Sequence, residues 1–234
     1  MISVAVVGAN GYVGSALCAA LTRRSGHSVT RVTRATFDEM RSRSYDILIN
    51  AAMPSGRFWA KNNPAQDFVE TVAKTADLVH GWRFRKFIQI STLSARCQRD
   101  TEYGRHKAAA EMIGGFGESL IVRLGPMYSK GLRKGVLIDL LEGRTVFVDG
   151  SSRYGFAPLE FVADWVAGNL HRAGIKEIGA KDAIALRDLA THLRVRGEFR
   201  GAVDHQEIQE PEEGYPDARG VLAFLDTARL RYPC

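Results

Sequence analysis

The chain has 234 residues, 45% of them hydrophobic and 25% charged, enough to bury a full core as one domain or one domain with a small lobe. No apolar stretch approaches the roughly 20 residues that cross a bilayer. The opening Met1-Ile2-Ser3-Val4 also lacks the basic region of a signal peptide, so a cytoplasmic protein with no membrane partner is expected.

The net charge of +6 is spread over scattered groups such as Arg23-Arg24 and Arg83-Arg85-Lys86. These form no recognisable nucleic-acid module, and attraction of an anionic cofactor or small-molecule substrate accounts for the charge instead. Cys18, Cys97 and Cys234 are too few and too far apart for a disulfide framework or a zinc site, and Cys18 reads as a small core residue. The six histidines show no ligand spacing, so no metal is expected, and His106 is expected on an exposed helical face.

In chain order the pattern alternates strand and helix. Residues 2–7 form a continuous β-branched run, read as a strand buried on both faces. Residues 11–24 carry apolar side chains at helical spacing. Residues 28–33 and 46–50 are the second and third strands. Residues 62–82 read as one long helix with Phe68, Val69, Val72, Ala76 and Val79 on its buried side. Residues 85–91 form a fourth strand, 102–114 a helix and 119–124 a fifth strand. The alternation predicts an α/β fold, a Rossmann-like doubly wound parallel sheet. Beyond it, helices over 135–142, 159–172 and 186–193 and short strands over 145–148 and 175–178 are less regular, and 195–218 is polar and read as a mobile segment or lid. The expected division is a dinucleotide-binding core over 1–125 and a small C-terminal substrate lobe over 126–234, interleaved with the last strands of the sheet.

Gly8-Ala9-Asn10-Gly11-Tyr12-Val13-Gly14 runs from the first strand into the first helix, the context in which a glycine motif binds a dinucleotide. The first glycine permits the turn, the second lets a pyrophosphate approach, and the third lets helix and strand pack closely. Helix N–H groups then face the phosphates. An acidic residue about 20 positions further on would bind a ribose 2′-hydroxyl, and an arginine there a 2′-phosphate. Counting from Gly14 reaches Arg34, with Arg31 nearby, which favours NADP over NAD; the alternative is an Arg34 side chain turned to solvent.

Ser91-Thr92 closes the fourth strand, where open α/β sheets bind ligands. Tyr103 and Lys107 lie four apart, on one face of the next helix, where the ammonium can depress the phenol's pKa and make it an acid or base near neutrality. Thr92 can donate a hydrogen bond to a substrate oxygen. Without the glycine turn, a chance pair on a solvated helix would be the simpler reading.

The chain resembles the extended short-chain dehydrogenase/reductase superfamily, particularly its NAD(P)-dependent nucleotide-sugar epimerase/dehydratase/reductase branch, over residues 2–193. GANGYVG resembles the phosphate turn, ILINAA the strand whose Asn50, Ala51 and Ala52 border the cofactor, FIQISTLSA the strand bearing the catalytic Ser/Thr, and YGRHKAAAE the Tyr–Lys helix. VRLGPMYSKG and the segment from Arg153 to Asp164 are similar to family stretches around the substrate lobe. The resemblance implies Thr92, Tyr103 and Lys107 as catalytic residues, with Lys107 also holding the nicotinamide ribose. It implies cofactor contacts from Gly8, Asn10, Gly11, Tyr12, Val13, Gly14, Arg34, Asn50, Ala51, Ala52 and Ser91, substrate contacts from Ser94 and Arg153, and pairing of two copies through helices 62–82 and 102–114.

Family dehydratases carry an Asp-Glu pair directly after the threonine; Leu93 and Ser94 stand there, which disfavours dehydration. Leu93 also occupies the place of an epimerase-reductase cysteine, and a family asparagine on the long helix is replaced near Asp67. The expected activity is hydride transfer to or from a carbonyl or alcohol, of a nucleotide-linked sugar, with NADP. An epimerase that reduces its cofactor transiently and a non-catalytic cofactor-binding sensor or assembly protein are the competing expectations.

Overall fold

A computed structural model describes residues 1–229; Cys234 lies outside them. Two compact units divide the chain, Met1–Leu124 with Glu160–Lys176 and Gly125–Leu159 with Glu177–Cys234.

The first unit begins with β1 (Ile2–Val7), α1 (Tyr12–Arg23), β2 (His27–Val32), α2 (Phe37–Arg41) and β3 (Ser44–Asn50). It continues through α3 (Arg57–Asn62), α4 (Pro64–Phe68), a π-helical turn over Val69–Ala73, and α5 (Lys74–Gly81). The strand β4 (Arg83–Thr92), the short α6 (Ser94–Cys97), α7 (Glu102–Gly114) and β5 (Leu120–Leu124) follow. Val4 to Val7 are buried, as a strand covered on both faces must be, and Cys18 is buried too.

Parallel pairing joins β1 to both β2 and β3, β3 to β4, and β4 to β5. The order β2-β1-β3-β4-β5 therefore reverses direction between β1 and β3. A crevice opens at such a switch point outside the carboxyl ends of the strands, which here are Val7 and Asn50.

In the second unit, β6 (Met127–Tyr128) pairs in parallel with β8 (Ala157–Pro158), and β7 (Arg153–Tyr154) lies between them in sequence, after α8 (Val136–Leu141). The helix α9 (Leu159–Gly168) and the start of β9 (Gly174–Ile178), the sixth strand of the main sheet, belong to the first unit. The chain ends in β10 (Ile184–Ala185), α10 (Leu186–Leu193) and α11 (Ala218–Arg229). Leu137, Leu140, Leu189, Leu193, Val221 and Leu225 form the second unit's core. Among the described residues, no helix is long and apolar enough to cross a membrane.

Three expectations about elements need correction. The helix expected over 62–82 breaks at Asn63 and restarts at Pro64, whose fixed φ and missing N–H suit a first helical position. Its buried side carries Asp67, Thr71, Val72, Thr75 and Leu78, while Phe68 and Val69 are 47% and 50% exposed. The helix packs against polar strand ends: Asn50 donates to Thr75 at 3.2 Å, and the π turn resets the face by one residue. No strand forms over 145–148; Val146 makes a single bridge to Phe199. The 195–218 stretch is laced down rather than hanging free, with Arg200 N–H on Val146 O, Gln206 N–H on Arg153 O and Gly155 N–H on Gln206 O.

Candidate active site

At the end of β1, Gly8 adopts φ +83°, which a side chain would strain. A Cβ there would also sit 2.6 Å from Ala51 O, and one on Gly14 would sit 2.2 Å from Gly8 O. Gly11 N–H donates to Gly8 O at 2.9 Å and closes the turn. Gly11 caps α1 without a side chain, so the helix presents its backbone amides at this end. The result is a bare backbone cradle at a helix N-terminus, shaped for a phosphate. A Gly14→Ala substitution must push the turn apart. It is expected to weaken dinucleotide binding roughly tenfold or more, about 1.4 kcal/mol, by titration calorimetry; unchanged affinity would show that the cradle is not the binding surface.

The walls of the cradle are fixed from two sides. Arg31 Nη2 donates to Ala9 O at 2.8 Å and to Asn10 Oδ1 at 3.0 Å, bracing the turn from the end of β2. Asn50 is fully buried; its amide nitrogen donates to Thr75 and Gln89, and its Oδ1 accepts from Ala52 N–H at 3.1 Å. That bond bends Ala51-Ala52 against Gly8, so Asn50 shapes the crevice through the backbone it holds. Arg34 opens a short 3₁₀ turn after β2, is exposed, and makes no ion pair among the described residues.

Thr92 ends β4, and its hydroxyl favours the ionised form of the Tyr103 phenol. Thr92 Oγ1 also accepts from Ser94 N–H at 3.3 Å. Tyr103 and Lys107 leave the buried face of α7, whose start is fixed by Thr101 accepting from Gly104 N–H. Gly104 has no room for a side chain: a Cβ would lie 1.9 Å from Gln98 O. The Tyr-Gly step therefore lets α7 lie against α6 and brings the phenol to Thr92. Lys107 Nζ donates to Pro54 O at 2.7 Å and lies 5.1 Å from the Tyr103 ring centroid.

Burial governs the ionisation of both groups. It raises the Tyr103 phenol to about 12, against opposing help from Arg57 and the Thr92 hydroxyl, with Asp67 adding to the rise. It lowers Lys107 to about 7, opposed by Asp67. The expected depression of the phenol by Lys107 is not what the site displays. The cation acting on Tyr103 is Arg57, because in its dry position Lys107 is itself close to losing its charge.

This fold and turn recur in known proteins. The profile of the NAD dependent epimerase/dehydratase family matches residues 4–114, from β1 to the end of α7. MoeE5 in complex with UDP-glucose and NAD superposes with a TM-score of 0.78 at 18% identity, covering 98% of both chains. UDP-glucose 4-epimerase of Thermotoga maritima with UDP-glucose gives 0.75 at 14%, covering 98% of this chain and 99% of that one. The dTDP-4-dehydrorhamnose reductase of Bacillus anthracis with NADP gives 0.74 at 14%, covering 97% and 99%. No curated protein is similar enough in sequence to count as a relative. At this level of identity the solved structures show a shared fold, the Rossmann-like parallel sheet with flanking helices.

Within residues 4–114, the structure gathers Gly8 to Gly14 with Ala51 and Ala52 in one place, and Thr92, Tyr103 and Lys107 in another. The Ser91 side chain is committed elsewhere: its hydroxyl donates to Glu111 Oε1 at 2.6 Å, on the face of β4 opposite Thr92. Ser94 is fully buried beneath Thr92. Arg153 belongs to the second unit, where its guanidinium is exposed and donates to Glu207 at 3.2 Å and to Ala183 O at 2.8 Å.

Sequence reading missed Arg57, Pro54 and Gly104, whose roles depend on packing between segments far apart in the chain. It also misplaced His106, whose Nδ1 lies 2.7 Å from Oδ2 of the buried Asp67. The signal available was the Asp67 replacement itself, read together with a histidine between Tyr103 and Lys107.

Proposed function

We propose that the protein is an NADP-preferring oxidoreductase that transfers hydride to or from a carbonyl or alcohol, with a nucleotide-linked sugar as substrate class. The observation that carries this reading is the buried Tyr103 phenol beside Lys107, next to the Thr92 end of β4, at the same strand ends as a glycine cradle with no room for side chains. When bound, the nicotinamide supplies or takes up the hydride. Gly8, Gly11 and Gly14 with the first amides of α1 would hold its pyrophosphate, and the exposed Arg34 would meet a 2′-phosphate.

Tyr103 gives its phenolic proton to the substrate oxygen, or takes it back in the reverse direction. Thr92 polarises that oxygen. Lys107, anchored on Pro54 O beside the Tyr103 ring, would hold the nicotinamide ribose. Leu93 follows Thr92 with its side chain fully buried, so no carboxylate stands there to remove a proton for dehydration.

Native mass spectrometry of freshly purified protein, identifying retained dinucleotide and sugar nucleotide, tests the reading directly. Arg34→Ala is expected to weaken NADPH binding roughly tenfold, about 1.4 kcal/mol, and to leave NADH binding unchanged. Equal losses for both dinucleotides would remove the NADP preference. Protein that binds neither would end the oxidoreductase reading. Turnover of a sugar nucleotide without net consumption of NADPH would mark an epimerase with the same residues.

A further inference from the structure

Behind Lys107 lies a carboxylate that the proton step above does not use. Asp67, on α4, is fully buried. Its Oδ2 lies 2.7 Å from His106 Nδ1, and its Oδ1 has no hydrogen-bond partner among the described residues. His106 lies on α7 between Tyr103 and Lys107, and its side chain is 17% exposed. Its ring meets Phe68, the neighbour of Asp67, edge-on at 5.6 Å, so the two helices clamp the pair.

An ionised carboxylate in such a place is costly unless charge or hydrogen bonds compensate. A staple between two helices would satisfy both oxygens, and this one leaves Oδ1 unmatched while its charge reaches the reacting groups. Several elements packed against α7 carry charged groups: Arg57 and Lys61 on α3, Asp67 on α4, Glu70 on the π turn, Lys74 and Asp77 on α5, and Arg96 on α6. Of these, Asp67 acts on Lys107, and Arg57 and Asp67 act on Tyr103. Glu70 and Lys74 are paired with each other, as are Asp77 and Arg41.

We propose that Asp67 and His106 are a pair of positioning residues for the proton step: the buried carboxylate holds Lys107 as an ammonium, and the imidazole holds the carboxylate in place and links it to solvent. The proposal rests on the roles given to Tyr103 and Lys107 under Proposed function. Removing the Asp67 charge destabilises the Lys107 ammonium and eases ionisation of Tyr103, so both groups titrate at lower pH.

The experiment follows Lys107 directly, by NMR of protein carrying ε-13C lysine, with the resonance assigned by its loss in Lys107→Met. In Asp67→Asn the Lys107 midpoint is expected to fall by about one pH unit, and the alkaline limb of the kcat profile to fall with it. His106→Phe strips the carboxylate of its donor and is expected to shift the midpoint in the same direction. His106→Gln still offers an N–H and is expected to restore most of it. The Asp67→Asn/His106→Phe double variant should shift no further than Asp67→Asn alone.

A Lys107 midpoint that stays put in folded Asp67→Asn overturns the proposal. So does a shift in Asp67→Asn with none in His106→Phe, since the imidazole then has no part. Should Asp67→Asn not fold, the contrast between His106→Phe and His106→Gln decides alone, and equal midpoints in the two overturn the idea. The midpoint needs no substrate, so the two failures separate. A shifted midpoint in protein that binds no dinucleotide supports the charge coupling and overturns the oxidoreductase reading. An unmoved midpoint with Tyr103-dependent turnover does the reverse.

Discussion

Tyr103→Phe is expected to cut turnover about 10²–10⁴-fold, the usual contribution of a positioned general acid or base. The change removes one oxygen from a side chain that is 6% exposed and leaves the ring in place over Lys107. Packing is therefore kept, and dinucleotide affinity is expected to stay at the wild-type value. What is lost is the proton carried by the phenol. The loss belongs in kcat, because the proton moves only in the reaction itself. Steady-state kinetics at several pH values, beside calorimetric titration of NADPH, checks both halves. A variant with full activity would show that Tyr103 is a buried structural residue. A variant that loses dinucleotide binding together with turnover would place its role in shaping the crevice.

Loss of Glu111 should bring the largest fall in stability. Its carboxylate accepts three bonds from Arg123, at 2.7, 3.0 and 3.1 Å, and one from Ser91 at 2.6 Å. The two charged side chains are 6% and 11% exposed, so neither is shielded by solvent. Removing one partner of a buried pair leaves the other charge uncompensated and costs about 3–5 kcal/mol. Against a total of roughly 5–15 kcal/mol for a domain, Glu111→Ala is expected to leave protein that unfolds at far lower denaturant concentration. A Glu111→Leu/Arg123→Leu double variant should recover much of the loss, because no charge is then stranded. Equal unfolding midpoints for wild type and Glu111→Ala would mean that the network is not a support of the fold. The same network explains why the Ser91 side chain, one residue from Thr92, faces away from the crevice.

Much of the fold is legible in the chain because its signals are local. A parallel strand buried on both faces must be apolar, and Val4 to Val7 are. A phosphate turn must lack side chains where backbone meets backbone, and Gly8 and Gly14 meet that demand at contacts of 2.6 and 2.2 Å. The four-residue spacing of Tyr103 and Lys107 places both on one helical face whatever surrounds them. These features depend on bond geometry and helical period, which the order of residues determines by itself.

What only the tertiary structure decided is where polar groups go once segments far apart in the chain pack together. Apolar Phe68 and Val69 looked like a buried face, yet they are exposed, because the strand ends beneath the helix offer Asn50 and Gln89, which take Thr75 as their polar neighbour. His106 looked solvated, yet a carboxylate 39 residues earlier in the chain meets it at 2.7 Å. Lys107 looked like a cation that would depress the phenol, yet burial brings its own pKa to about 7 and raises that of Tyr103 to about 12. Periodicity and spacing are properties of the sequence, whereas desolvation and charge pairing depend on distances that exist only after the chain has folded.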